Sequence, residues 1–345
     1  MHAPTVRPTP GTRQAEPLCA AALALLCAAI LAWRWVGFQG HDDSYYATAA
    51  LDWLHHPPAL GDNHWALRYP LVIPMAAALA VFGKSLWVLA VPTLVAYLAW
   101  LGFTYAAMRA ALGWQAAALA TLAAILIPEF PVQATYANPD ILELVFLLGS
   151  FWCFQSALRR PDRTLDLVHC GTLAGLAFLT RETAAAIVPF YALLFATRPG
   201  MPRRAYLPIA AAFATIVALE FLYFWLRAGD PLYRLHLSAT HDTVNRAAQA
   251  TAAAAAGHAL DTEGVLAGPP LFQIVSVLFI SQKYGPLFLL AIPATFYARG
   301  ATWLAPRERR VITDAALLAL CLAAFVALAA GKLYIVPRYF TAAAG

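Results

Sequence analysis

Charge is scarce in this sequence. Lysine, arginine, aspartate and glutamate make up 12% of its 345 residues, where a soluble domain carries roughly a quarter. With 61% hydrophobic residues and a mean hydropathy of +0.64, the chain reads as a polytopic membrane protein and not as a soluble one. The basic residues sit singly or in short clusters between apolar runs. No basic face with interleaved aromatics exists, which excludes a nucleic-acid interface. Cysteine is also thin. Cys19, Cys27, Cys153, Cys170 and Cys321 lie in or beside apolar runs, with no CxxC pair and no Cys/His metal spacing. They read as small buried hydrophobes. No internal repeat is apparent. The first apolar run, LCAAALALLCAAILAWRWVGF, lacks a small-residue cleavage site and ends in Trp-Arg-Trp. It is therefore expected to stay as a first membrane helix and not to be removed as a signal peptide.

What is present is a succession of apolar runs, at about 70–83, 86–108, 111–128, 140–158, 165–180, 184–198, 206–227, 270–282, 285–298 and 311–331. Several are short for a hydrocarbon core of about 30 Å, so not all are expected to span. The positive-inside rule arbitrates. With a cytoplasmic N-terminus, and with 70–83 and 270–282 lying at the outer interface, the multiply basic loops all fall inside. These are Arg159, Arg160 and Arg163; Arg198, Arg203 and Arg204; and Arg299, Arg307, Arg309 and Arg310. The predicted fold is an all-α transmembrane helix bundle with outer-side interfacial helices. Residues 1–16, rich in Pro and Thr, read as a disordered cytoplasmic tail, and 17–345 as one membrane domain.

In this arrangement the outer side collects most of the acids together with isolated cations: Arg68, Lys84, Arg181, Arg227, Arg234, Arg246, Lys283, Lys332 and Arg338. Lone cations near the hydrocarbon edge are costly unless something holds them there. They suit a bound anion, and a lipid phosphate is the obvious one. Asp42 and Asp43 stand together at the outer mouth of the first helix, in GHDDSYYATAALDWLHH. Adjacent residues of a helix cannot both point into one cavity. Asp42 is expected to face outward into a site, and Asp43 to cap the following helix or orient its neighbour. Asp140 opens another run as Asn-Pro-Asp, itself a good helix start, with Glu143 one turn on. Glu220, inside a span, is expected to pair with a cation such as Arg227.

The order of these features resembles the GT-C glycosyltransferases of the protein mannosyltransferase and aminoarabinose transferase type. DDSYYATAALDWL is similar to that family's acidic-pair motif after helix one, with Tyr46 as the following aromatic. GDNHWALRYPLVIPMAAALAVFGKSLWVLAVP resembles its Gly-Asp-x-Trp segment, with one extra residue before Trp65 and its basic residue at Arg68. ATYANPDILELVFLL resembles its second acidic motif, with Asp140 as the acid. GLAFLTRETAAAIVPFYALLF resembles its Leu-Thr-Lys segment, with Arg181 where lysine is usual, and PRYF its late Arg-Tyr motif. The resemblance runs from about 17 to 340. Since the family usually has further helices after the Arg-Tyr motif, a chain ending at Gly345 is expected to be a truncated or a minimal member.

The resemblance implies a sugar transferred from a polyprenyl-phosphate donor to an acceptor hydroxyl on the extracytoplasmic side of the plasma membrane, with inversion. Such chemistry needs a base for the acceptor proton and compensation of the phosphate leaving group. Asp42, Asp43 and Asp140 are the candidate catalytic acids. Tyr46, Arg68, Glu143, Arg181, His241, Arg246 and Arg338 are the candidate substrate contacts, the arginines because guanidinium engages phosphate bidentately. The acceptor is a glycolipid, a glycan or a protein. No cofactor is expected, although the three aspartates supply the hard oxygen ligands a divalent cation takes. The alternatives are a transporter or flippase of lipid-linked sugar and a catalytically inactive relative. Against the transporter, the polar groups gather at outer helix ends and no halves repeat.

Overall fold

The computed structural model describes residues 10–159, 163–197, 201–240, 287–302 and 304–329. Among them the chain is helical throughout, with no strand. The helices are α1 (Pro10–Trp33), α2 (Asp42–His55), α3 (Tyr69–Phe82), α4 (Val91–Leu112), α5 (Trp114–Leu126), α6 (Glu129–Ala134) and α7 (Asp140–Ala157). They continue with α8 (Thr164–Thr180), α9 (Ile187–Thr197), α10 (Tyr206–Ala228), α11 (Leu287–Gly300) and α12 (Pro306–Ala329). Short 3-10 turns at Leu86–Ala90 and Glu182–Ala186 lead into α4 and α9. Four stretches among the described residues are long and apolar enough to cross a membrane: Ala15–Trp33, Leu86–Ala110, Asp140–Ala157 and Arg203–Ala228. The protein is an all-α membrane protein, as expected. One difference lies at the start: α1 begins at Pro10, inside the segment read as a disordered tail, and its Glu16 pairs with Arg109 of α4.

The hydrogen bonds between distant segments define two ends. At one end Val36 donates its N–H to Thr135 Oγ1 (3.1 Å), and Thr93 donates its hydroxyl to the carbonyl of Tyr136 (2.9 Å). Tyr223 reaches the carbonyl of Ala59 (3.0 Å), and Tyr233 that of Gly61 (3.3 Å). The Glu16–Arg109 pair and the Ser156–Asp166 hydrogen bond mark the other end. The segment around α3 therefore leaves and returns to the same end. Arg68 precedes it there, and Thr93, in the first turn of α4, is there too. Fourteen residues rise only about 21 Å at 1.5 Å each, too little for a bilayer core of about 30 Å. Pro70 is the second residue of α3, in the first turn, where proline loses nothing. It stops at Gly83, whose φ of 83° is open to glycine, and its Leu71, Val72, Met75 and Leu79 pack against Tyr46, Ala49 and Ala50 of α2. The second expected interfacial helix, 270–282, lies outside the described residues.

Behind this layer sit two apolar cores. One joins α7, α8, α9, α10 and α12, and the other α1, α4, α5, α6 and α7. α7 belongs to both. α8 and α10 approach closely. A Cβ on Gly171 would stand 2.1 Å from the carbonyl oxygen of Ile209, and one on Gly175 2.7 Å from Ile216 Cβ. The two glycines are a small-xxx-small pair of the kind that lets membrane helices meet backbone to backbone.

Candidate active site

α2 opens with both acids in its first turn, where the helix dipole favours negative charge. Their environments differ. Asp43 is buried, and its carboxylate accepts the N–H groups of Gln39 and His41 (2.8 Å for the latter). It ties down the loop that enters the helix. Asp42 is only half-buried. Helical geometry puts Tyr46 one turn beyond Asp43 on the same face. Tyr46 is fully buried and accepts a hydrogen bond from Arg68 Nη1. Beside it Tyr45 stacks on Trp65, ring centroids 4.5 Å apart.

Arg68, buried at the entry to α3, lies within electrostatic reach of Glu143 and Glu182. Glu143 is one turn inside α7 and accepts the hydroxyl of Thr183 at 2.6 Å. Asp140, in the first residue of α7, forms a buried ion pair with Arg181. Asn138 sets that turn: its side-chain oxygen accepts the N–H of Asp140 (3.0 Å), and its amide donates to the carbonyl of Gln133. Arg181 follows α8 in an extended conformation (φ −159°, ψ 141°). Successive side chains of an extended chain point apart, which sends Arg181 to Asp140 and Glu182 to a different partner, Arg234.

Of the candidate residues, the structure joins Tyr46 to Arg68, leaves Glu143 within electrostatic reach of that arginine, and makes Asp140 and Arg181 partners of each other. His241, Arg246 and Arg338 lie outside the described residues. Glu182, Thr183 and Arg234 belong to the cluster without having been singled out for it. Arg234, read as a lone surface cation, is instead buried against Glu220 (Nε to Oε1, 3.2 Å). The partner of Glu220 is thus Arg234 and not Arg227, which donates to the carbonyl of Pro58 (3.1 Å). Among the described residues no three His, Cys, Asp or Glu side chains come together as a metal set; here the acids alternate with arginines.

A cavity of about 230 Å³ opens next to this cluster, lined by Trp53, Tyr69, Leu176, Leu179, Ile216, Leu219, Glu220 and Tyr223. Its walls are almost wholly apolar, and Leu219 on its rim is 57% exposed on the outside of the bundle. The site thus joins a buried arginine–carboxylate cluster at one end of a membrane bundle to an apolar pocket at its flank.

Residues 61–225, just under half of the chain, match the family model described as dolichyl-phosphate-mannose-protein mannosyltransferase. No curated protein matches. Two crystal structures of ArnT from Cupriavidus metallidurans share the fold. The apo state aligns with a TM-score of 0.61 and 16% identity over 97% of this chain and 58% of that one. The form bound to undecaprenyl phosphate aligns with a TM-score of 0.62 and 18% identity over 95% of this chain and 57% of that one. The resemblance to the GT-C glycosyltransferases is borne out. The family model covers the segments around Trp65, Asp140 and Arg181, and the fold extends over nearly the whole chain. This chain spans less than three-fifths of the length of the ArnT structures.

Proposed function

We propose that this protein is a membrane glycosyltransferase that moves a sugar from a polyprenyl-phosphate donor to an acceptor hydroxyl, on the extracytoplasmic side of the plasma membrane and with inversion. The observation that carries the reading is Arg68: a buried guanidinium, oriented by Tyr46, at the start of an interfacial helix whose first residue, Tyr69, lines the apolar cavity. A phosphate at Arg68 with its hydrocarbon chain toward that cavity satisfies both surfaces at once. The undecaprenyl phosphate bound to the related ArnT fold supports the same class of lipid.

In this reading Asp42 takes the proton of the acceptor hydroxyl, and the departing phosphate keeps its charge beside Arg68. Asp43 fixes the loop from which Asp42 projects. Arg181 holds Asp140, and the Asp140–Arg181 pair braces the start of α7. His241, Arg246 and Arg338 complete the phosphate contacts. The arrangement serves a glycolipid, a glycan or a protein acceptor equally.

The test is to incubate the purified protein, in lipid, with a panel of polyprenyl-phosphate sugars and to measure release of free polyprenyl phosphate, with and without a chelator. Release with one donor and an acceptor supports the reading, and its survival in chelator separates the arginine-based site from a metal-dependent one. Movement of the donor between leaflets without release points to the transporter alternative.

A further inference from the structure

Arg234 is the most deeply buried of the cluster's three arginines, at 2% exposure against 6% for Arg181 and 8% for Arg68. It lies in the helical stretch 233–240 that follows α10. Three hydrogen bonds and two carboxylates hold its guanidinium fork. Nη1 donates to the carbonyls of Phe178 (3.0 Å) and Leu179 (3.1 Å), and Nη2 to Glu220 Oε2 (3.3 Å). Glu182 Oε1 stands 3.6 Å from Nη1, and the guanidinium lies over the Phe178 ring at 5.0 Å. The two carbonyls belong to the last turn of α8, where a helix has no partner of its own for them. Ser238, one turn beyond Arg234, also donates to Glu182 (3.2 Å).

The three residues after α8 each enter the site: Arg181 meets Asp140, Glu182 meets Arg234, and Thr183 donates to Glu143. Arg234 is the group that fastens this turn from behind, to α10 through Glu220 and to the end of α8 through the carbonyls. We infer that Arg234 is a positioning residue: by fixing the 181–183 turn it holds Thr183 on Glu143, and thereby keeps the charged cluster around Arg68 in register for a phosphate. The turn-fixing rests on geometry alone, whereas its effect on phosphate binding rests on the proposed function. A buried ion pair is by itself weak evidence for stability. What distinguishes this one is a fork that a lysine, with the same charge, cannot reproduce.

The experiment has two readouts on the full chain in detergent: titration with undecaprenyl phosphate, followed by tryptophan fluorescence, and amide hydrogen exchange. Arg234→Lys is expected to fold, to exchange faster at 181–186 with the middle of α8 unchanged, and to bind undecaprenyl phosphate about tenfold more weakly. Thr183→Val is expected to weaken binding similarly, and the double variant no further than the weaker single, because both act through one contact. Should Arg234→Lys fail to fold, Glu182→Gln tests the same link with its shape retained. Wild-type binding by Arg234→Lys, or losses that multiply in the double variant, overturns the inference. If the wild-type protein itself does not bind undecaprenyl phosphate, the proposed function fails, and the exchange readout decides the positioning role alone: unchanged exchange at 181–186 overturns it.

Discussion

At the scale of single residues, the two acids of α2 are separated by what they touch. Asp43, itself buried, holds two backbone N–H groups of an exposed loop, while Asp42 is half-exposed beside it. Asp42→Asn keeps the shape and removes the proton acceptor. It is expected to fold, to retain the lipid donor, and to lose turnover by about 10²–10⁴. Asp43→Asn keeps one acceptor oxygen of two. Its main loss is expected in thermal unfolding, at roughly 1–3 kcal/mol. If Asp43→Asn is inactive while Asp42→Asn turns over normally, the roles are reversed. For Arg68, alanine is expected to raise the donor KM more than lysine does, since lysine loses only the fork. Equal kinetics for wild type and Arg68→Ala would leave Arg68 a mere anchor. The Asp140–Arg181 pair makes a stability prediction. Arg181→Met strands a buried carboxylate and is expected to cost about 3–5 kcal/mol, much of it recovered by adding Asp140→Leu. A double variant no more stable than the single would contradict the pairing. That pairing was not legible in the sequence. Both residues stood out, but separately, Asp140 as a candidate catalytic acid and Arg181 as a phosphate contact, because partners 41 positions apart carry no local signal.

Among the elements, α8 and α10 bring these residues together. Gly171 touches the backbone of α10, so Gly171→Ala must push the helices apart. The Arg234 link between the end of α8 and Glu220 then loosens, and both unfolding temperature and donor binding are expected to fall. At Gly149 a Cβ would meet only the end of the Leu173 side chain, at 3.1 Å, so Gly149→Ala is the milder control. Equal melting temperatures for the two variants would count against the close approach. The helices themselves were largely legible, because long apolar runs broken by Gly, Pro and Arg leave little choice of class. The exclusion of α3 from the spans also followed from loop charges, and the structure returns the chain to the same end. The partner of Glu220 was misread for a geometric reason. Arg227 lies on the same helix, seven residues and so about 10.5 Å along its axis. Gly229, at φ 71°, ends α10 and lets the chain double back, which sets Arg234 against Glu220. No periodicity in the sequence announces that reversal, although the Gly171–Gly175 spacing could have indicated which helices meet.

For the whole molecule, the proposed orientation places Asp62 outside and Asp162 inside. Membrane-impermeant maleimide on intact cells is expected to label Asp62→Cys and to spare Asp162→Cys; the opposite pattern moves the site to the cytoplasm. Inside the bundle, the helices differ in how far they lean on one another. The spanning window of α1 is 11% buried and that of α7 is 67%, and α7 is also the least hydrophobic of the four spans. Asp140 and Glu143 meet their partners on Arg181 and Thr183, some forty positions later in the chain. A ribosome makes α7 before either partner exists. While the chain is growing, α1 can settle in lipid as soon as it emerges, but α7 enters with two acids whose neighbours are still unmade. Its insertion is therefore a matter of timing. Nascent chains halted before residue 181 are expected to leave α7 poorly integrated, and chains halted only once residues 181–183 have cleared the ribosome to hold it firmly, so the proposed lipid site also sets the order in which its own walls are raised.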